Sequence, residues 1–183
     1  ADGAVRRVGI NLGAPGDRIT REGTLWLDHP SVGGPSPNVP VSISPKTASP
    51  YYRHSLWIQG GQGRPWVTAS GVSGVRQVRI TPVVRRSTKP SKAKADKAKP
   101  IKPCPSYTVA LYFAAPDTSQ RVFSVAIQGR QVLKDLNVAK EAGGVMRGIV
   151  KEFKHVGVAG DLTITLTPSK GEPILSGVEL VAD

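Results

Sequence analysis

Five aromatic side chains carry the clearest binding chemistry in this sequence. A flat ring can stack on the C–H face of a sugar, while amide, carboxylate and guanidinium groups bind the hydroxyls. Aromatic residues make up only 5% of the 183 residues, so the position of each one is informative. We predict a ligand-binding set that consists of Trp26, Tyr51, Tyr52, Trp57 and Trp66.

The surroundings of these rings favour different positions for them. Trp57 and Trp66 each lie inside a short apolar run, which favours the core over a sugar platform. Tyr51 and Tyr52 follow a proline and are predicted to be more exposed. Trp26 lies between two leucines, and both interpretations stay open for it.

No catalytic or metal-binding arrangement is recognisable. The histidines lie in three separate segments without the spacing of a zinc site, and no pair of carboxylates is placed as glycoside hydrolysis requires. Neither a nucleophile elbow nor a phosphate-binding loop occurs. Cys104 lies between two prolines and is interpreted as an incidental surface thiol. We therefore predict a protein that is not an enzyme and needs no cofactor or metal.

The positive charge is concentrated in one tract. From Arg85 to Lys102 there are eight basic residues and one acid, which gives +7 of the total net charge of +12. The tract lacks the aromatic residues that stack on single-stranded bases, so nucleic acid is disfavoured. We interpret residues 87–105 as a solvated Lys/Pro-rich inserted loop, with weak contact to anionic polymers as its alternative role.

Short segments of alternating apolar and polar residues recur along the chain and predict strands. Glycine- and proline-containing turns separate them, and only residues 136–142 are predicted to be helical, with Asn137 as the N-cap. No apolar run is long enough for a membrane span. We predict an all-β, antiparallel β-sandwich of the jelly-roll or galactose-binding-like type, as a single domain over residues 1–183. The predicted strands are 5–11, 24–27, 39–43, 52–58, 66–72, 75–83, 107–113, 121–127, 148–156, 162–166 and 175–181.

The order of short motifs resembles that of malectin-type carbohydrate-binding domains. It begins with Asn11-Leu12-Gly13, Asp17 and a segment around Trp26, and it continues with the strand from Tyr107 to Ala114. Further matching motifs are Arg121-Val122-Phe123, Val132-Leu133-Lys134-Asp135, Ala142-Gly143-Gly144 and Leu175-Ser176-Gly177-Val178-Glu179.

This resemblance implies a lectin-like sandwich that is usually not catalytic and that binds glycans through aromatic residues and an Asp on loops at one end. Two of those loops differ in this chain. Residues 115–120 form a shorter loop without aromatics, and residues 169–172 replace the loop that carries the acidic ligand.

Three functions follow as hypotheses. The first is a glycan- or polysaccharide-binding module of a larger exported bacterial protein (periplasmic, cell-surface or extracellular). The second is a structural or protein-interaction module that contacts neighbouring domains or subunits and has lost the sugar site. The third is an anionic-polymer binder that acts through the tract from Arg85 to Lys102.

Overall fold

A computed structural model describes residues 5–82 and 105–183. Their strands form three sheets, and two short helices and one 3₁₀ turn complete the fold. Three predicted features lie outside the described residues. They are the basic tract, Cys104 and, with the exception of Pro105, the loop at 87–105. The strands are β1 (Arg7–Leu12), β2 (Arg18–Ile19), β3 (Leu25–His29), β4 (Val41–Ser44), β5 (Ser49–Tyr52), β6 (Ser70–Ser73), β7 (Gln77–Ile80), β8 (Ser106–Ala114), β9 (Val122–Ile127), β10 (Arg130–Leu136), β11 (Gly148–Gly157), β12 (Leu162–Lys170), β13 (Ile174–Leu175) and β14 (Gly177–Ala182). The helices are α1 (Pro65–Thr68) and α2 (Val138–Ala142), and the 3₁₀ turn is Ser55–Trp57.

Two large sheets pack face to face and confirm the predicted β-sandwich. The six-stranded sheet has the order β11-β8-β14-β1-β3-β2, and the five-stranded sheet has the order β10-β9-β12-β7-β4. Their inner faces contribute to one apolar core. In β8, alternate side chains from Tyr107 to Phe113 are fully buried, and in β12 Leu162, Ile164 and Leu166 are buried as well. The period-two pattern predicts this inner face, and in β8 the outer face at Ala110 and Tyr112 is buried as well.

The pairing of β1 with β3 is parallel, whereas the other strand pairs are antiparallel. In this register Asn11 lies beside Asp28, and Gly9 lies beside Trp26. A Cβ atom on Gly9 would lie 2.0 Å from the Trp26 ring, so the missing side chain makes room for the indole on the outer face of the sheet.

The segment from residue 53 to 69 crosses this outer face and covers part of it. Val67 of α1 packs with Trp26, Tyr112 and Ala110 in a second, smaller apolar cluster. The outer face of the six-stranded sheet is therefore buried at Trp26, Ala110 and Tyr112, and this segment supplies part of the cover.

Two of the predicted strands are wrong in this segment. Residues 52–58 are not one strand, because β5 ends at Tyr52 and a 3₁₀ turn follows, in which Nδ1 of His54 accepts a hydrogen bond from the backbone N–H of Leu56 (3.2 Å). Residues 66–72 begin as helix α1, since Pro65 occupies its first turn, where the missing N–H costs nothing. Helix α2 has the predicted N-cap, because the side chain of Asn137 accepts from the N–H of Lys140.

Candidate functional site

Several loops meet at one end of the sandwich, which we call the upper end. Strands β1, β3 and β8 finish there, at Leu12, His29 and Ala114. The small sheet of β13, β6 and β5 lies at the same end and carries the chain into the 3₁₀ turn. Side chains that are far apart in sequence therefore share one rim.

Exposed apolar side chains are concentrated on this rim. Tyr52 is 54% exposed, Trp57 is 59% exposed and Leu56 is 83% exposed. Three neighbouring large apolar side chains in solvent are uncommon on a monomer surface and mark a place where a ligand or a partner binds. We call the side chains of Tyr52, Leu56 and Trp57 the rim patch.

Trp66 and Arg18 lie beside the rim patch. The guanidinium of Arg18 stacks over the half-buried indole of Trp66 at 5.2 Å from the ring centroid, which is a cation–π geometry. Both side chains line a shallow depression together with Tyr52 and Ser55. Of the five predicted rings, the structure thus brings Tyr52 and Trp66 to one depression, and Trp57 lies in the 3₁₀ turn that follows Tyr52 in the chain.

Trp26 lies in the second apolar cluster and is only 1% exposed. Its ring meets Trp66 and Tyr112 edge to face, with centroid distances of 5.4 Å and 5.2 Å. A buried ring offers no face to a ligand, so the interpretation of Trp26 as a stacking ring does not fit this position. Trp26 instead supports the inner side of the segment that carries the rim.

Tyr51 is also less exposed than its sequence context suggests. Its hydroxyl lies 3.2 Å from the carbonyl oxygen of Ala114 and 3.2 Å from the hydroxyl of Ser176. Burial raises the pKa of Tyr51 to about 12. Tyr51 therefore ties the small sheet to the large one, and Tyr52, its neighbour on the opposite face of β5, is the ring that reaches solvent.

A cavity of about 580 Å³ opens between β3 and the start of β4, and Asp17, Asp28 and His29 are among its lining residues. One oxygen of Asp28 accepts from the backbone N–H of Gly16 (3.1 Å) and of Val32 (3.3 Å). Burial lowers the pKa of His29, which keeps its imidazole neutral near pH 7. The cavity is therefore acidic and offers acceptors for hydroxyl groups.

The sequence analysis did not predict this cavity, because it recognised no pair of carboxylates. The side chain of Asp17 accepts from the backbone N–H of Asp28 (2.9 Å). This contact depends on the parallel β1–β3 pair and on the loop that precedes β2. Neither the parallel pair nor the loop produces a periodic pattern of apolar residues in the sequence.

The two loops that differ from the malectin-type pattern are held by their own polar contacts. Arg121 donates two hydrogen bonds to the carboxylate of Asp117, at 2.6 Å and 3.0 Å, and these hold the pKa of Asp117 well below its usual range. Glu172 accepts from the hydroxyl of Ser73 at 3.0 Å. Both oxygens of Asp117 are therefore occupied by Arg121, whereas Glu172 uses one oxygen for Ser73.

Residues 5–82 and 105–183 contain no helix with the length and apolar composition that crossing a membrane requires. In the same residues, no group of three or more His, Cys, Asp or Glu side chains is placed to hold a metal ion.

The family model of the malectin domain matches residues 92–177, which is just under half of the chain. Solved structures of the same architecture extend the likeness to almost the whole chain. The chain is similar to malectin domains in sequence over residues 92–177, and its fold is shared with these solved structures over almost its whole length. The resemblance inferred from the motifs is thereby confirmed.

The relatives place the malectin-like domain inside longer proteins. A probable leucine-rich repeat receptor-like serine/threonine-protein kinase of Arabidopsis thaliana is 34% identical over 70 residues, which cover 33% of this chain and 7% of that protein. A calcium binding mutant of Bacteroides uniformis beta-glucuronidase 2 matches with a TM-score of 0.67 and 17% identity, over 97% of this chain and 18% of that chain. The plant receptor-like kinase ANX2 matches with a TM-score of 0.64 and 13% identity, over 96% of this chain and 48% of that chain. At these identities the two structures establish the fold only, and the chain spans less than half the length of each relative.

Proposed function

We propose that this malectin-like domain is a non-catalytic glycan-binding module whose platform is the rim patch with the neighbouring Trp66. The observation that carries the proposal is the solvent exposure of Tyr52 and Trp57 on one rim. Two exposed rings next to Trp66 and the guanidinium of Arg18 combine apolar faces with hydrogen-bond donors, which is the combination that a sugar ring requires.

The acidic cavity supports the same function. Its carboxylates accept hydrogen bonds from hydroxyl groups, and its volume lies within the range of small-ligand sites. It opens at the upper end, where the loop that carries Asp17 separates it from the depression beside Tyr52. A saccharide chain bound on the rim would have a second polar contact within reach.

Affinity electrophoresis with a panel of soluble neutral polysaccharides tests the proposal. We expect retention by at least one glycan, and we expect Trp57→Ala and Tyr52→Ala each to weaken it about tenfold or more. Ile19→Ala serves as the control. It removes an apolar side chain that is 76% exposed and lies outside the rim patch, so it should leave retention unchanged. Retention by none of the glycans, with the fold intact by circular dichroism, would contradict the proposal.

A protein-interaction module is the second candidate, and Leu56 is the observation that favours it. A leucine exposed by 83% contributes no ring to a sugar platform, yet it is a typical contact of a protein interface. Leu56→Ala separates the two functions. It should leave glycan retention intact if the rim binds sugars, and it should weaken association with a neighbouring domain or subunit if the rim binds protein.

We infer further that the domain is part of a larger exported bacterial protein. The longer chains of the solved relatives, one of them from a bacterium, support this assignment. Fractionation of the source cells with an antibody against the domain tests it. Detection of the full-length protein in the cytoplasm alone would overturn it.

A further inference from the structure

The shallow depression beside the rim patch is too small for a sugar ring. Its volume is about 20 Å³, which is room for one group of the size of a water molecule. We call it the Asn11 depression, because Asn11 lines it and is only 3% exposed. A site of this size accepts a single small polar group that projects from a larger ligand.

The strand registers bring the residues of the Asn11 depression to one place. Asn11 in β1 and Arg18 in β2 project from the outer face of the six-stranded sheet, which is the face that also carries Trp26. The hydroxyl of Ser70 donates to Oδ1 of Asn11 (3.2 Å) and thereby joins the small sheet to this face. Tyr52 lies opposite Ser70 in the pairing of β5 with β6, so these two side chains share one side of the small sheet.

Four side-chain donors that line the Asn11 depression have no hydrogen-bond partner in the described part of the chain. Because Oδ1 of Asn11 accepts from Ser70, the free end of this amide is its Nδ2 group, which is not one of the unpaired polar atoms sealed in the interior. The other three donors are the guanidinium of Arg18 and the hydroxyls of Tyr52 and Ser55. A nearly buried amide with an unpaired donor marks a place where a ligand supplies the acceptor.

The charges around the Asn11 depression favour a negative acceptor. No Asp or Glu lines it, and the segment from residue 53 to 69 contains two arginines, one histidine and no acid. Arg64 is paired with Glu22 at 2.8 Å, whereas Arg18 has no ion pair among the described residues. Asp17, the neighbour of Arg18 in the chain, uses its carboxylate for a backbone N–H of β3. An unpaired cation beside unpaired neutral donors is complementary to an anion.

We propose that the Asn11 depression binds the carboxylate of an Asp or Glu side chain of a partner protein, whose adjacent apolar side chains pack on the rim patch. One carboxylate oxygen accepts from Nδ2 of Asn11, and the guanidinium of Arg18 donates to the same group. Ser55 lines the Asn11 depression and directly precedes Leu56 and Trp57, so the polar and the apolar contact are adjacent. This inference rests on the protein-interaction candidate for the rim, and it names the chemistry of the partner.

Peptide selection on the immobilised 183-residue chain tests the proposal. A phage-displayed library of random heptapeptides supplies the probes, and the enriched peptides are synthesised as C-terminal amides with a fluorophore for anisotropy measurements. We expect enrichment of an Asp or Glu next to apolar residues, and weaker binding as sodium chloride rises. Replacement of that acid by Asn or Gln should weaken binding about tenfold or more. Enrichment of no peptide, or equal binding of the amide analogue, overturns the proposal.

Two variants of the chain locate the binding site. Asn11→Asp replaces the unpaired donor by a carboxylate oxygen of the same shape and keeps an acceptor for Ser70, so it should weaken peptide binding about tenfold or more. Arg18→Gln removes the unpaired cation at an exposed position and should have a similar effect, which keeps the test decisive if Asn11→Asp fails to fold. The matched control is Arg79→Gln, which removes an exposed arginine of the five-stranded sheet and should leave the affinity unchanged.

Equal weakening by Arg18→Gln and Arg79→Gln would indicate net charge only and would overturn the proposal. Loss of binding only on deletion of residues 87–103 would overturn it as well. Full competition by single-stranded oligothymidylate would assign the anion site to nucleic acid and not to protein.

Retention by neutral glycans, measured on the same variants, separates this inference from the proposed glycan site. Asn11→Asp should leave that retention unchanged, because no sugar ring enters the Asn11 depression. Glycan retention without peptide binding overturns this inference alone. Peptide binding without glycan retention overturns the glycan proposal alone.

Discussion

Replacement of Trp26 by alanine should destabilise the domain without removing a ligand contact. Trp26 is almost fully buried and fills the space above Gly9 on the outer face of the sheet. Large-to-small replacement of such a buried aromatic costs about 3–5 kcal/mol. The edge-to-face contacts with Trp66 and Tyr112 are part of this loss, at about 0.5–1.5 kcal/mol each.

For a chain of this length, that free energy corresponds to a fall in melting temperature of about 6–20 °C. Far-UV circular dichroism in urea and on heating measures it, since the signal comes mainly from the backbone and the midpoint does not require the removed indole as a probe. Trp57→Ala is the matched tryptophan variant. Because Trp57 is largely exposed, its unfolding free energy should stay within about 0.5 kcal/mol of the wild type.

The folded fraction of Trp26→Ala should still bind the glycan that the wild type retains. Main-chain contacts hold the rim in place in addition to the packing on Trp26, because Tyr52 pairs with Ser70 in the small sheet and the N–H of Arg53 donates to the carbonyl of Ala69. An unchanged unfolding midpoint in Trp26→Ala together with loss of retention would refute this reasoning. It would place the indole in a ligand site and not in the core.

Three further measurements test the packing and the ionisable groups. Gly9→Ala should lower the unfolding free energy by about 1–3 kcal/mol in a urea titration, since its methyl group would overlap the Trp26 ring. A Cβ atom on Gly160 would have no neighbour within 4 Å, so Gly160→Ala should leave the unfolding free energy almost unchanged in the same titration. Stability should fall as pH rises from about 10, the ordinary pKa of tyrosine, to about 12, the pKa of Tyr51, because the unfolded chain loses its proton first; Tyr51→Phe should reduce this fall in a pH series of thermal melts. The opposite sign holds for Asp117, whose pKa is lowered by Arg121: its contribution is present above about pH 4 and is lost below it, and Asp117→Asn should flatten the acid limb of the same series.

The sequence was sufficient for the strands whose two faces differ. In β8 and β12 every second side chain enters the core, so period-two alternation identifies both the strand and its buried face. Helix α2 was also predictable, because Asn137 caps its start and Gly143 adopts the left-handed conformation at its end. These elements depend on local signals that one segment carries by itself.

The positions of the tryptophans were not predictable in this way. Trp57 lies in a Leu-Trp-Ile run that suggests a core strand, yet it lies in a 3₁₀ turn and is exposed, whereas Trp26 lies in a true strand and is buried on its outer face. The outer face of a sheet is buried only if another segment covers it. Here α1 provides that cover through Val67, and no periodicity in the sequence reports this contact.

The two open seams of the sandwich differ in charge, and the difference limits which ligands each can hold. On one side, between β3 and β4, the cavity is lined by Asp17 and Asp28, whose carboxylates accept hydroxyl hydrogens but repel anions. On the other side, between β10 and β11, Arg130 is among the lining residues of a cavity of about 690 Å³. The two cavities differ in their borders, because β10 and β11 are both edge strands, whereas β3 has β2 as a further neighbour in its sheet. Since the apolar core below both cavities is shared, the side chains at each opening set its selectivity, and the carboxylates of Asp17 and Asp28 disfavour anionic ligands at the first.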